Sequence, residues 1–190
     1  MTELIGQTLG RYKILEQLGE GGMATVYEAY DTQDEMEVAL KVILPSQQHS
    51  EKFLKRFESD SRALAKLNHP NIVGVLDSGK HEGMPFLVME YVPAGTLKQK
   101  LGHPIPWQEA AGIFAPVARA LEHAHSHHIV HRDVKPSNIL LMDNGQPMLS
   151  DFGIARILED EETADLTGTG LGVGTPEYMA PEQVTGKAAD

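Results

Sequence analysis

The feature that most constrains this chain is the string HRDVKPSN at residues 131–138, followed shortly by DFG. It supplies a carboxylate at Asp133, an ammonium at Lys135, an amide at Asn138 and a second carboxylate at Asp151. A carboxylate and an amide offer the oxygen ligands that magnesium takes alongside nucleotide phosphates, so Asn138 and Asp151 are the candidate metal ligands. Asp133 can accept the hydrogen bond of an attacking hydroxyl, and Lys135 can neutralise charge on a transferred phosphoryl group. Each residue alone is an ordinary loop polar group, but the ordered set predicts phosphoryl-transfer chemistry.

The same string resembles the catalytic loop of eukaryotic-type protein kinases, and DFG resembles their metal-binding turn. Lys135, two residues after Asp133, is typical of the serine/threonine branch of that family. The resemblance implies that ATP and Mg²⁺ are used to phosphorylate serine or threonine hydroxyls of proteins. It implies catalytic roles for three residues: Asp133, Lys135 and Asn138.

A glycine-rich hairpin, GEGGMATV, lies between strands predicted over residues 12–19 and 25–31. Glycines let backbone N–H groups approach phosphate oxygens, although an ordinary tight turn would have the same composition. The hairpin resembles the kinase loop that covers ATP, except that Ala24 stands at the third glycine position. We expect a less flexible tip with nucleotide binding retained. The resemblance places four residues of this region at the nucleotide: Leu18, Gly19, Gly21 and Val26.

The run VALKVI at residues 38–43 predicts a strand that contains one lysine. Lys41 is either a solvated residue or a placed cation, and the resemblance implies that it binds the α- and β-phosphates of ATP, with Ala39 lining the adenine pocket. Kinases hold this lysine with a glutamate on the following helix, which the apolar spacing predicts over residues 50–67. Here Asp60 takes that position. Because aspartate is one methylene shorter, we expect a closer helix, a bridging water or a weak ion pair.

Two further strands are predicted over residues 72–79 and 85–91, giving a five-stranded antiparallel sheet with one helix. The second runs into MEYV, which resembles the gatekeeper and hinge of the kinase family. The resemblance implies that Met89 lines the back of the adenine pocket. It also implies that backbone groups of Glu90 and Val92 bond the adenine edge.

The following part of the chain is predicted to be mostly helical, with a long helix over residues 107–127 that Pro116 interrupts or kinks. The histidines that end this helix, from His123 to His128, are interpreted as a solvated helix terminus rather than a metal site. A hairpin over residues 139–149 would present Asp151. The resemblance places Leu140 beneath the adenine.

Residues 154–173 are acidic and glycine-rich, a composition that buries little apolar surface and predicts a mobile loop. The loop resembles a kinase activation segment, which ends at APE. Phosphate on Thr167 or Thr169 would pair with Arg132 through charge-assisted hydrogen bonds and order the segment. Thr175 resembles the residue that supports Asp133 and Lys135 at the substrate site.

The expected fold is therefore α+β and bilobal, with an N-terminal lobe over residues 1–92 and a C-terminal lobe over residues 93–190. The family continues after APE into further helices, so the second lobe is expected to be incomplete here. Losing the apolar contacts of those helices would cost more than the ~5–15 kcal/mol by which domains are stable. We expect the isolated 190 residues to fold poorly in their second half and to have little activity alone.

Composition excludes several other classes of protein. The chain contains no cysteine, which excludes disulfide frameworks, thiolate zinc sites and thiol catalysis. A net charge of −11 argues against nucleic acid as the principal partner. No apolar run reaches the length of a membrane span and the start of the chain does not resemble a signal peptide, so a cytoplasmic location is expected. The expected partners are ATP, protein substrates and a second copy of the chain for autophosphorylation.

Two alternative functions stay open at this stage. A pseudokinase or nucleotide-binding scaffold is supported by Asp60 and Ala24 alone. A small-molecule kinase of the same fold is disfavoured by residues 174–182, which resemble a platform for docking peptides.

Overall fold

The structure is a computed structural model that describes residues 4–21, 24–44, 51–152 and 176–184. The chain divides into two compact units. The first contains residues 1–66 and 74–91, and the second contains residues 67–73 and 92–190. Thr167, Thr169 and Thr175 lie outside the described residues.

The first unit is built on a six-stranded sheet in which every pair of neighbours is antiparallel, in the order β1-β2-β3-β4-β6-β5. It has one strand more than the five predicted, because a two-residue strand is too short to show an alternating pattern. The strands are β1 (Thr8–Leu9), β2 (Tyr12–Glu20), β3 (Ala24–Asp31), β4 (Met36–Ile43), β5 (Val75–His81) and β6 (Met84–Glu90).

The register of this sheet assigns its residues to two faces. Val26 pairs with Lys41 across β3 and β4, and Ala39 pairs with Met89 across β4 and β6. Paired residues share a face and side chains alternate along a strand, so these four lie on one face. The other face carries a buried cluster: Leu9, Tyr12, Ile14, Tyr27, Ala29, Val38, Leu40, Val42, Phe86 and Val88.

Helix α1 (Glu51–Leu64) completes the first unit and packs against β5 and β6. Its buried residues recur at helical spacing: Phe53, Phe57, Ser61 and Leu64. The rings of Phe53 and Phe57 are stacked with centroids 6.4 Å apart.

Among its described residues, the second unit has two helices before the catalytic string of residues 131–138 and a small hairpin after it. Helix α2 (Leu97–Lys100) begins with a capping box in which Thr96 and Gln99 satisfy each other's backbone N–H groups. Helix α3 (Trp107–Ser126) continues through Pro116, buries Ile113, Val117, Ala120 and Ala124, and packs against the hairpin. The hairpin consists of β7 (Ile139–Leu141) and β8 (Pro147–Leu149), and a last helix, α4, spans Pro181–Val184.

The histidine-rich end of α3 differs in one respect from the prediction of a solvated terminus. His123 is half-buried and its Nε2 atom is shielded from solvent, with its ring 5.3 Å from His69 and 4.6 Å from His127. The reason is tertiary, since His69 belongs to residues 67–73, which form part of this unit. In the described ranges no helix is long and apolar enough to cross a membrane.

Candidate active site

The carboxylate of Asp133 is held on a single oxygen. Lys135 Nζ lies 2.8 Å from Asp133 Oδ2, and Asn138 Nδ2 donates to the same oxygen at 2.9 Å. Asn138 Nδ2 also donates to the backbone carbonyl of Asp133 at 2.8 Å. None of these contacts, which are those that the described residues make, involves Asp133 Oδ1. The second carboxylate oxygen is thereby left to accept the hydrogen bond of a hydroxyl group.

The same contacts orient the amide of Asn138. Because Nδ2 points at Asp133, its Oδ1 is the atom that can bind a cation. Asn138 ends a short 3-10 helix, Pro136–Asn138, and its carbonyl accepts from the backbone N–H of Ser150 at 2.9 Å and from Ser150 Oγ at 3.2 Å. The pairing of β7 with β8 therefore brings Asn138 beside Ser150, one residue before Asp151.

An amide oxygen and a carboxylate at neighbouring positions suit magnesium, which takes its remaining ligands from phosphates and water. Asn138 and Asp151 thus fit the donor set expected for this ion. No cluster of three His, Cys, Asp or Glu residues placed to hold a metal occurs among the described residues. A magnesium site completed by phosphates does not need one.

His131 anchors the backbone of the catalytic loop. It is only 1% exposed, its Nε2–H donates to the Ser150 carbonyl at 2.8 Å, and its Nδ1 accepts from the Asp133 backbone N–H at 3.2 Å. Burial lowers the pKa of His131, against the opposing effect of the Ser150 carbonyl and the nearby carboxylates. The imidazole is therefore neutral and structural. Its ring also packs 4.5 Å from that of Phe152.

Two residues at this site adopt left-handed backbone conformations. Arg132 has a φ of 69° and Asp151 a φ of 65°. A non-glycine residue in this region costs about 1–3 kcal/mol and persists only where its surroundings hold it. The residue before Asp133 and the candidate metal ligand Asp151 are thus both held by tertiary contacts.

The predicted nucleotide-binding residues of the first unit lie at the glycine-rich hairpin and along one face of the sheet. Gly19 pairs with Val26, which pairs with Lys41, so the three form a row across β2, β3 and β4. Leu18 lies at a β-bulge and is 42% exposed. The Gly21 N–H donates to the Ala24 carbonyl at 2.9 Å and closes the hairpin. Ala39 and Met89 are buried on the same face as Lys41.

Asp60, the predicted partner of Lys41, contacts a residue of its own helix. Asp60 Oδ2 lies 3.9 Å from Arg56 Nε, one turn earlier in α1. An ion pair at this distance on a part-exposed helix surface is weak. The ion pair between Asp60 and Lys41 stays a prediction.

The remaining predicted residues occupy defined positions in the second unit. Val92 is buried. Leu140 is half-buried, pairs with Met148 in the hairpin and forms an isolated bridge with Thr96. The adjacent Leu141 N–H donates to the Gly95 carbonyl at 2.9 Å.

Sequence reasoning missed a contact that fixes Glu90. Its Oε2 accepts from the Gly74 N–H at 3.1 Å, and its own N–H donates to the Gly74 carbonyl at 2.9 Å. A Cβ atom on Gly74 would lie 3.0 Å from Glu90 Cδ. Gly74 therefore makes room for the carboxylate that binds it. The only signal in the sequence was a glycine within the strand predicted over residues 72–79.

The sequence matches the protein kinase domain family over residues 12–190. The chain belongs to the protein kinase family. Among bacterial relatives of this kinase, the probable serine/threonine-protein kinase PknB of Lactococcus lactis is 40% identical over 182 residues, covering 94% of this chain and 28% of the relative. The serine/threonine-protein kinase PrkC of Bacillus subtilis is 39% identical, covering 98% of this chain and 29% of the relative.

The kinase fold is also shared with solved structures. The kinase domain of PknI from Mycobacterium tuberculosis aligns with a TM-score of 0.75 and 29% identity, covering 100% of this chain and 71% of that one. The curated relatives are much longer, since the kinase chain spans less than a third of PknB and PrkC.

The contact between Glu90 and Gly74 generates a stability prediction. Replacing Glu90 with alanine removes the carboxylate acceptor and is expected to lower the free energy of unfolding by about 1–2 kcal/mol. Gly74→Ala should cost about 1 kcal/mol in the wild-type background, because the methyl group displaces the carboxylate.

The two changes are expected to be coupled, so Gly74→Ala should cost almost nothing once Glu90 is alanine. A double-mutant cycle measured by urea unfolding checks this. Additive losses would show that the carboxylate and Gly74 do not interact.

Proposed function

We propose that this kinase transfers the γ-phosphoryl group of ATP to serine or threonine hydroxyls of proteins. The observation that carries the proposal is the carboxylate of Asp133, held on Oδ2 by Lys135 and Asn138 with Oδ1 left as an acceptor. The curated names of PknB and PrkC describe serine/threonine-protein kinases, which supports this substrate class.

In the proposed reaction Asp133 orients the substrate hydroxyl. Oδ1 accepts its hydrogen bond and then its proton as the hydroxyl oxygen bonds to the γ-phosphorus and the bond from that phosphorus to the departing ADP oxygen breaks. The Lys135 ammonium, held 2.8 Å from Oδ2, would stabilise charge that develops on the transferred phosphoryl group. Catalysis then comes mainly from positioning and electrostatics, since the carboxylate is held before the substrate arrives.

Asn138 and Asp151 are proposed to hold the magnesium. The bound ion would neutralise charge on the nucleotide phosphates. Asn138 has two functions in this scheme, because its Nδ2 orients Asp133 while its Oδ1 serves the ion. Replacing Asn138 should therefore weaken metal binding and also release the Asp133 carboxylate from its fixed orientation.

The nucleotide is proposed to contact the sheet face that carries Val26, Ala39, Lys41 and Met89. Small and apolar side chains on this face suit the adenine ring, and Lys41 offers its ammonium to the α- and β-phosphates. Backbone groups of Glu90 and Val92 are proposed to bond the adenine edge, with Leu18, Gly19, Gly21 and Leu140 completing the contacts. Asp60 is proposed as the partner of Lys41. Because ATP is the phosphoryl donor, we place this activity in the cytoplasm.

Regulation is proposed to act through Arg132. Its backbone is fixed beside Asp133 at a φ of 69°, and its side chain carries the charge needed to bind a phosphorylated threonine. The candidate threonines are Thr167 and Thr169, phosphorylated by a second copy of the protein. Thr175 is proposed to support Asp133 and Lys135 at the substrate site.

The direct test of the function is a phosphoryl-transfer assay with the full-length protein, labelled ATP and Mg²⁺. The wild-type protein should label threonine or serine on itself or on a general protein substrate. Asp151→Asn should lower the rate at least about 100-fold, because the site loses its charged ligand and a neutral amide binds the cation more weakly than a carboxylate does.

Asp143→Asn makes the same chemical change in the turn of the β7–β8 hairpin and is the matched control. It should keep the wild-type rate. Equal labelling by wild type and Asp151→Asn would contradict the assignment, and nucleotide binding without any transfer would favour a pseudokinase.

The regulatory proposal predicts that Thr167→Ala and Thr169→Ala together lower kcat about tenfold or more, because no phosphate is then available to pair with Arg132. The measurement is a steady-state assay on protein previously incubated with ATP. Undiminished activity of the double variant would remove the proposal.

A further inference from the structure

The peptide group between Arg132 and Asp133 is held at both of its polar atoms by side chains. Its N–H, which belongs to Asp133, donates to His131 Nδ1 at 3.2 Å. Its carbonyl, which belongs to Arg132, accepts from Gln183 Nε2 at 2.8 Å. Gln183 lies 51 residues farther along the chain, in α4. A distant residue thus completes the support of the peptide that carries the proposed base.

The amide of Gln183 is oriented by a second contact. Its Oε1 accepts from the backbone N–H of Ala180 at 3.0 Å, at the start of α4. Since one end of the amide is an acceptor and the other a donor, both contacts together allow only one orientation. Gln183 is half-buried, which limits competition from water for these hydrogen bonds.

Arg132, which provides the carbonyl of this peptide, also has a strained backbone conformation. Arg132 has a φ of 69°, a conformation that a non-glycine residue keeps only where surrounding contacts favour it. Lys135 and Asn138 hold the carboxylate of Asp133, but neither contacts the carbonyl of Arg132. Gln183 supplies the side-chain hydrogen bond to that carbonyl.

We propose that Gln183 is a positioning residue for the phosphoryl-transfer reaction: its amide fixes the Arg132–Asp133 peptide and so sets where the Asp133 carboxylate lies. The inference rests on the proposed function of Asp133. It makes the placement of residues 176–184 a condition for correct geometry at the base. A glutamate at position 183 could keep the contact with Ala180 but could not donate to the Arg132 carbonyl.

The test compares Gln183→Glu with wild type in the full-length protein. The variant should lower kcat about tenfold, because it loses one hydrogen bond that positions a catalytic group. Its KM for ATP should stay within about twofold of the wild-type value, and its melting temperature within about two degrees. Gln183→Ala, which removes both contacts, should lower kcat at least as much.

The matched control is Gln146→Glu. Gln146 Nε2 also donates to a backbone carbonyl, that of Pro70 at 2.6 Å, but it lies in the turn of the β7–β8 hairpin. The same chemical change there should leave kcat unchanged. If Gln146→Glu lowered kcat as much as Gln183→Glu does, the effect would not be specific to position 183. That result would overturn the proposal.

A second readout does not depend on activity. Amide hydrogen exchange of the Asp133 N–H should be at least several-fold faster in Gln183→Glu than in wild type, because the peptide is released at its carbonyl. Wild-type kcat or wild-type exchange in Gln183→Glu would overturn the proposal. If the wild-type protein transferred no phosphate, the proposed function would fail, and the exchange rate alone would decide whether Gln183 holds the peptide.

Discussion

The site depends on one asymmetry, which is that the polar contacts to the carboxylate of Asp133 fall on Oδ2. A cation and an amide on the same oxygen fix the plane of the carboxylate and leave the other oxygen as an acceptor. The same amide, turned by this contact, offers its own oxygen to a metal ion. The hydrogen bond from Asn138 Nδ2 to Asp133 Oδ2 therefore links the orientation of the proposed base to that of a proposed metal ligand.

Hydrogen bonds also hold the backbone around Asp133 and Asn138. His131 is buried and neutral, and it joins the Asp133 N–H to the carbonyl of Ser150, the residue before Asp151. Both ring nitrogens of a charged imidazole carry protons, so its Nδ1 could not accept from the Asp133 N–H. The lowered pKa of His131 therefore agrees with its bridging geometry. The two left-handed residues, Arg132 and Asp151, flank this bridge, and their strain is offset by the contacts around them.

Much of this arrangement could be predicted from the sequence, because it depends on short-range order. The spacing of Asp133, Lys135 and Asn138 within one loop places them in mutual reach, and the alternation of β3, β4 and β6 assigns Val26, Lys41 and Met89 to one face. The parts that could not be predicted are tertiary. Gly74 and Glu90 are 16 residues apart, and Gln183 and Arg132 are 51 apart, so no local pattern pairs them. His123 was expected in solvent because its neighbour His69 comes from a distant segment.

The most direct measurement of the central claim is a crystal structure of the full-length protein with Mg²⁺ and a non-hydrolysable ATP analogue. The account predicts Asn138 Oδ1 and an Asp151 carboxylate oxygen at about 2.1 Å from magnesium, with Asn138 Nδ2 and Lys135 Nζ still on Oδ2 of Asp133. A structure in which Asn138 turns its Nδ2 away from Asp133, or in which Asp151 binds no metal, would contradict it.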